Sequence, residues 1–252
     1  MRGGVVLIPP FAEEMNQSRR MLTLLAEALA EAGYHTALPD FFGTGDSEGE
    51  FADASWSGWL DQLTCCVESL RRDYGVERYS LVAVRAGALL AADYLRCAKK
   101  IPEKLVLWQP VIDGSGYLSQ FLRLRLAADM LSGDKDKETL TAMKQQLALG
   151  QTVEVAGYAL TSAISEGLSR ASLKQLPPEC LPPTYWIDLV SNDKNVSPQV
   201  NRRLVEEFTD AGNKVYYSVN TGLPFWNSVV TLENKALVKN TVSFFQDNSD
   251  AN

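Results

Sequence analysis

Short apolar runs alternate along this chain with segments of helical periodicity, and this restricts the fold more than any other feature of the sequence. GGVVLIPP (3–10) is a β-branched run closed by two prolines. QSRRMLTLLAEALAEA (17–32) then places apolar residues at helical spacing, with Ser18 as the expected N-cap and Gly33 as the stop. YHTALP (34–39) reads as a strand, and DFFGTGDSEGEF (40–51) is too rich in glycine and acidic residues for regular structure. A helical pattern from Trp56 to Tyr74 ends near Gly75. RYSLVAV (78–84) is a strand, AGALLAADYLRCA (86–98) a helix, and EKLVLWQPV (103–111) a strand closed by proline. Apolar strands separated by helices predict a doubly wound, mostly parallel α/β sheet covered on both faces.

The rhythm breaks over residues 113–176, which carry helical patterns, polar patches and few strand-like runs. They are expected to form a helical cap or lid. LPPECLPP (176–183) cannot pair in a central strand and hands the chain back to the sheet. TYWIDLV (184–190) is a strand, 198–211 a helix, KVYYSV (214–219) a strand and 232–246 a closing helix. The expected organisation is a core of residues 1–112 and 177–247, the cap at 113–176, and a frayed tail at 248–252.

With 252 residues, of which 46% are hydrophobic, the chain can bury one large α/β core. A net charge of −7 argues against a nucleic-acid partner, which would require clustered Lys and Arg. MRGGVVLIPP is too short an apolar run for a secretory signal, and no window approaches the ~18 apolar residues of a membrane span. A cytoplasmic location is expected. Cys65, Cys66, Cys97 and Cys180 are not spaced as zinc ligands or a redox pair, so reduced thiols are expected, with no metal and no cofactor.

Residues 79–90 read YSLVAVRAGALL: an apolar run, an abrupt turn, then small residues opening a helix. That is the layout of a nucleophile elbow, G-x-S-x-G. Its five positions are filled here by Ala83, Val84, Arg85, Ala86 and Gly87. LPDFFGTGDSEGEF is similar to the D-x-x-G-x-G-x-S loop of many α/β-hydrolases, and the succession of elements resembles the α/β-hydrolase fold over nearly the whole chain. PPFAEEMNQSRRM, GTGDSEGEFADASWSGWLDQL, VRAGALLA, LWQPV, QFLRLRLAADM, VEVAGYAL and GLPFWNS together resemble a narrower family, the type 2 hydrolases associated with the exosortase A system. The resemblance implies a place in exosortase sorting of PEP-CTERM proteins and exopolysaccharide production. It also implies an elbow of the form G-x-R-x-G-A, with arginine at the nucleophile position. This chain departs from that pattern at Ala83, where alanine in place of glycine is expected to open the tight turn slightly.

A serine-type triad cannot be assembled from these residues. Arg85 is permanently protonated and not nucleophilic. The base should follow the last strand, where Phe225 and Trp226 stand and no histidine occurs. The single histidine, His35, precedes the elbow and breaks the required chain order. Asp193 has the spacing of the triad acid and Asp188 lies within the strand before it, but neither has a histidine to orient. In the oxyanion loop, Pro9 and Pro10 lack N–H groups, leaving Phe11 and the Ala86 amide as donors.

An arginine beside a helix N-terminus suits a carboxylate, phosphate or sulfate. The leading reading is therefore a non-catalytic protein, a pseudoenzyme, binding a small anion through Arg85, Ala86 and Phe11 under the cap. Glu13 or Glu14 lies close by topology, where either could neutralise Arg85. Two alternatives stand beside it. One is a hydrolase of ester or thioester type using Glu13, Glu14, Asp113 or Asp193 as base on a water. The other is an interaction protein with a closed pocket, whose partner face is QFLRLRLAADML (120–131) with Arg123 and Arg125. The plainer reading of that segment, a cap helix packed on the core, is preferred. The sequence does not set the oligomeric state.

Overall fold

A computed structural model describes residues 2–132, 138–191 and 199–247. Asp193 and the 248–252 tail lie outside these described residues. In chain order the elements are β1 (Gly3–Ile8), α1 (Glu13–Glu31), β2 (Tyr34–Ala37), α2 (Trp56–Tyr74), β3 (Tyr79–Val84), α3 (Gly87–Cys97) and β4 (Leu105–Trp108). Next come α4 (Gly114–Ser132), α5 (Leu140–Ala148), β5 (Val153–Val155), β6 (Tyr158–Leu160) and α6 (Ser162–Arg170). The chain closes with β7 (Thr184–Val190), α7 (Gln199–Asp210), β8 (Val215–Thr221) and α8 (Lys235–Gln246).

The main sheet runs β2-β1-β3-β4-β7-β8 with every pairing parallel. Alternate residues of each strand feed two separate cores. Val6, Ile8, Leu81, Ala83, Leu105, Leu107 and Trp186 face the side that includes α2 and α3. Val5, Leu7, Val82, Val84, Val106, Trp108 and Ile187 face the side of α1 and α8. Burial on both faces explains why β1, β3 and β4 read as unbroken apolar runs. The order of the central strands brings the carboxyl ends of β1, β3 and β4 together, and ligand sites of open α/β sheets lie at such edges.

Two expectations need correction. Helix α1 begins at Glu13 behind an Ala12 N-cap, well before Ser18. Ser18 is instead a fully buried residue inside the helix, and its hydroxyl has no hydrogen-bond partner among the described residues. The chain leaves β1 through Pro9 and Pro10 and turns at Ala12 (φ 52°), so Met15 becomes the first core residue and Glu14 falls in the first helical turn. The 113–176 segment also holds more strand than expected: β5 and β6 form an antiparallel hairpin. Its turn, Ala156 (φ 49°) and Gly157 (φ 84°), has the two positive φ angles of a tight hairpin. Among the described residues, no helix is long and apolar enough to cross a membrane.

Candidate functional site

Arg85 sits in the turn between β3 and α3 with φ 53°, a left-handed conformation that is costly for a residue with a side chain. Three backbone bonds hold it there. Its amide donates to Trp108 O (3.0 Å), and its carbonyl accepts from Ala88 (3.1 Å) and Val111 (3.1 Å). The turn closes tightly because residue 87 is glycine: a Cβ there would lie 2.5 Å from Pro9 O and 2.7 Å from Ile8 O. Ala83 is fully buried within β3, opposite Leu107.

The guanidinium meets Glu14 edge-on. Nε lies 3.3 Å from Oε2 and Nη2 lies 3.3 Å from Oε1, a two-pronged contact. Nη1 donates to Gln109 O at 3.3 Å. Gln109 is itself fixed: its φ is 42°, its amide donates to Ile187 O (2.7 Å) and its Oε1 accepts from Leu189 N (2.6 Å). The Arg85 and Glu14 side chains are 18% and 21% exposed. Burial raises the Glu14 carboxyl above the ordinary carboxylate range, outweighing the lowering effects of the Arg85 charge and of hydrogen bonds with Arg85 and Tyr117. Burial, then the Glu14 charge, pushes the Tyr117 phenol far above its usual value, so Tyr117 remains neutral.

Phe225 and Trp226, expected from the sequence near the base position, lie buried in a short 3-10 turn after β8. The Arg85 guanidinium carbon is 4.9 Å from the centre of the Trp226 ring, a cation–π contact. Phe225 packs edge-on against Trp108 and Trp226. Phe11 turns inward and makes edge contacts with Phe51, Trp59, Tyr117 and Phe121. Beside it remains a cavity of only about 20 Å³, lined by Pro10, Ala12, Met15, Ala86 and neighbouring aromatics. That is room for about one water molecule. The Phe11 and Ala86 amides donate to no other described residue.

The remaining candidates are dispersed. Glu13 turns away from Arg85 and accepts from Asn16 (3.0 Å) and Tyr158 (3.1 Å); burial and that carboxylate push the Tyr158 phenol up to about 12. Asp113 caps α4 through Gly116 N (2.8 Å) and lines a separate groove of about 1100 Å³ between α2, α3 and α6. His35 lies against Tyr74 with the rings tilted by 41°, level with Gly4, which also pairs with Tyr79 at the start of β3. Arg85 follows Tyr79 by six residues, so at ~3.3 Å per residue His35 is about 20 Å from the elbow. The α4 segment packs on the core through Phe121 and Leu122, while Leu124, Met130 and Leu131 stay exposed. Arg125 bonds Glu154 O (3.0 Å) and pairs with Glu138, and Arg123 is exposed. No group of three His, Cys, Asp or Glu that could hold a metal occurs among the described residues.

Asp188 is fully buried and accepts from Asn201 (2.8 Å), Tyr217 (2.8 Å) and Trp186 (3.1 Å). Burial raises its carboxyl despite these donors. A raised carboxyl makes the folded state bind more protons, so the stability it contributes is full below the unfolded value near 4 and is lost as pH rises through the folded value. Asp188→Asn, which keeps an acceptor oxygen, should therefore flatten the fall in Tm as the pH rises above about 4. An unchanged pH profile would show that Asp188 does not titrate there.

Gln109, Tyr117 and Trp226 complete the Arg85 site. Of these, the sequence pointed only to Trp226, which it offered together with Phe225 as the residue expected near the base position. The contacts of Gln109 depend on a positive φ, and those of Tyr117 on how α4 folds back. The assembled group holds neither a serine nor a histidine. Its fork of donors is taken up by the Glu14 carboxylate.

A family model described as serine aminopeptidase, S33, matches residues 1–225. No curated protein matches the chain in sequence. Among solved structures, Est1E from Butyrivibrio proteoclasticus with ferulic acid bound superposes with a TM-score of 0.66 at 13% identity, covering 97% of this chain and 88% of that one. Mouse alpha/beta hydrolase domain-containing protein 10 gives a TM-score of 0.58 at 13% identity, covering 100% and 92%. At these identities the likeness is one of fold, and the fold is that of the α/β hydrolases.

Proposed function

The chain belongs to the serine aminopeptidase S33 family of α/β hydrolases, and within it we propose that this protein is a non-catalytic binding protein for a small anion. One observation carries the reading: the guanidinium of Arg85 lies 4.9 Å from the Trp226 ring. The two positions that exchange a proton in a serine hydrolase are here a permanent cation and an uncharged ring, and they hold each other. The motif resemblance supports the finer reading, a cytoplasmic accessory role in exosortase sorting and exopolysaccharide production. A closed-pocket interaction protein is the second reading, favoured by the cavity of only about 20 Å³.

The test is a panel of p-nitrophenyl esters and aminoacyl p-nitroanilides with the wild type, Arg85→Ala and Arg85→Ser. All three should match the buffer rate. Arg85→Ser restores a hydroxyl, but nothing at residue 226 can accept its proton. Wild-type turnover that disappears in Arg85→Ala would overturn the proposal and favour Glu14 as base on a water.

A further inference from the structure

We infer that the anion taken by the elbow is an organic carboxylate, that Glu14 is its built-in stand-in, and that the ligand displaces Glu14 with uptake of one proton. This rests on the binding reading above. Arg85 presents its Nε/Nη2 edge to both oxygens of one carboxylate, at 3.3 Å each. A planar two-oxygen group matches that edge, so the resident side chain reports the shape the site accepts.

The receptor half persists when Glu14 leaves. Gln109 O and the Trp226 ring hold the guanidinium from other elements. Both members of the pair are about a fifth exposed, so a ligand can reach them from solvent. The rings of Trp226 and Tyr117 border the pair and favour an apolar tail over a bare inorganic anion.

The proton follows from what faces Glu14. From the elbow it meets Arg85, and from α4 it meets Tyr117. On its own helix Glu13 points to Asn16 and Tyr158. Arg85 is thus its one cationic partner among the described residues. Once a ligand takes that partner, a buried carboxylate would remain beside another carboxylate, so Glu14 takes a proton from solvent and becomes the neutral acid. Ligand carboxylate, proton and closed site go to ligand-bound Arg85 and protonated Glu14, with charge balanced. Tyr117 stays neutral and can accept the acid hydrogen bond.

The experiment titrates the full chain with sodium benzoate, acetate and sulfate at pH 5.5, 6.5 and 7.5 by calorimetry, in two buffers of different ionisation enthalpy. Benzoate should bind tightest. Above the Glu14 pKa its Kd should weaken about tenfold per pH unit, with about one proton taken up. Glu14→Gln should bind more tightly than wild type at pH 7.5, because the competing carboxylate is gone, and should show a flat pH profile. Arg85→Gln should not bind. Binding without pH dependence, sulfate tighter than benzoate, or equal binding by Arg85→Gln overturns the inference. No binding of any anion by wild type or Glu14→Gln at any pH overturns the binding reading itself and leaves the closed pocket. If Glu14→Gln does not fold, the wild-type pH series decides alone.

Discussion

Glu14→Ala is expected to lower the free energy of unfolding by about 2–4 kcal/mol, through the charge it leaves behind rather than the contact it removes. Breaking a buried ion pair from one side costs about 3–5 kcal/mol, and the roughly one-fifth exposure of both partners brings the figure down. In a chain of this length each kcal/mol moves Tm by about 2–4 °C, so a drop of about 5–15 °C should appear in a thermal melt. Gln109 O and the Trp226 ring would still hold the guanidinium but cannot neutralise it. The cause can be isolated with Arg85→Leu added. The double variant should recover most of the loss, because no unpaired charge remains. Additive losses in the cycle, or a loss under about 0.5 kcal/mol for Glu14→Ala, would show that the pair is not coupled as its geometry implies.

Gly87→Ala is the second large effect. The added methyl would lie 2.5 Å from Pro9 O and 2.7 Å from Ile8 O, and both obstacles are backbone. Neither can rotate away. Relief requires shifting β1, which is hydrogen-bonded to β2 on one side and β3 on the other. Overpacking of this kind should cost about 3 kcal/mol, with a matching fall in denaturant midpoint or in soluble yield. Ala83→Gly is the contrasting change at the other glycine position of the elbow pattern. It should cost only about 0.5–1 kcal/mol from backbone entropy within a strand. Equal losses at the two positions would mean that the elbow does not depend on close approach at residue 87.

The sheet was legible because its central strands β1, β3 and β4 are short, apolar and buried on both faces, and each strand is followed by a helical repeat. The start of α1 was not. Ser18 has the chemistry of an N-cap, but it belongs to the buried face of a helix that begins where the chain turns at Ala12. That shift places Glu14 in the first turn, close to Arg85, while Glu13 goes to Tyr158. Neighbouring glutamates with equal sequence claims separate because side chains one residue apart on a helix point about 100° apart. The β5–β6 hairpin escaped notice because three-residue strands leave no periodicity to read.

What the sequence alone determined is the chemistry that is missing. No serine stands at the elbow, no histidine follows the last strand, and no arrangement of the chain can create either. It also determined that an arginine stands between β3 and α3, since the strand, turn and helix signals are local. Only the tertiary structure decided what that arginine does. Its partners Glu14, Gln109 and Trp226 come from three other stretches of the chain, joined by parallel strand pairing and by the fold of the segment after β8. Local propensity records which way a segment bends, whereas the neutralisation of a buried charge depends on groups far apart in sequence, and those meet only when the sheet closes.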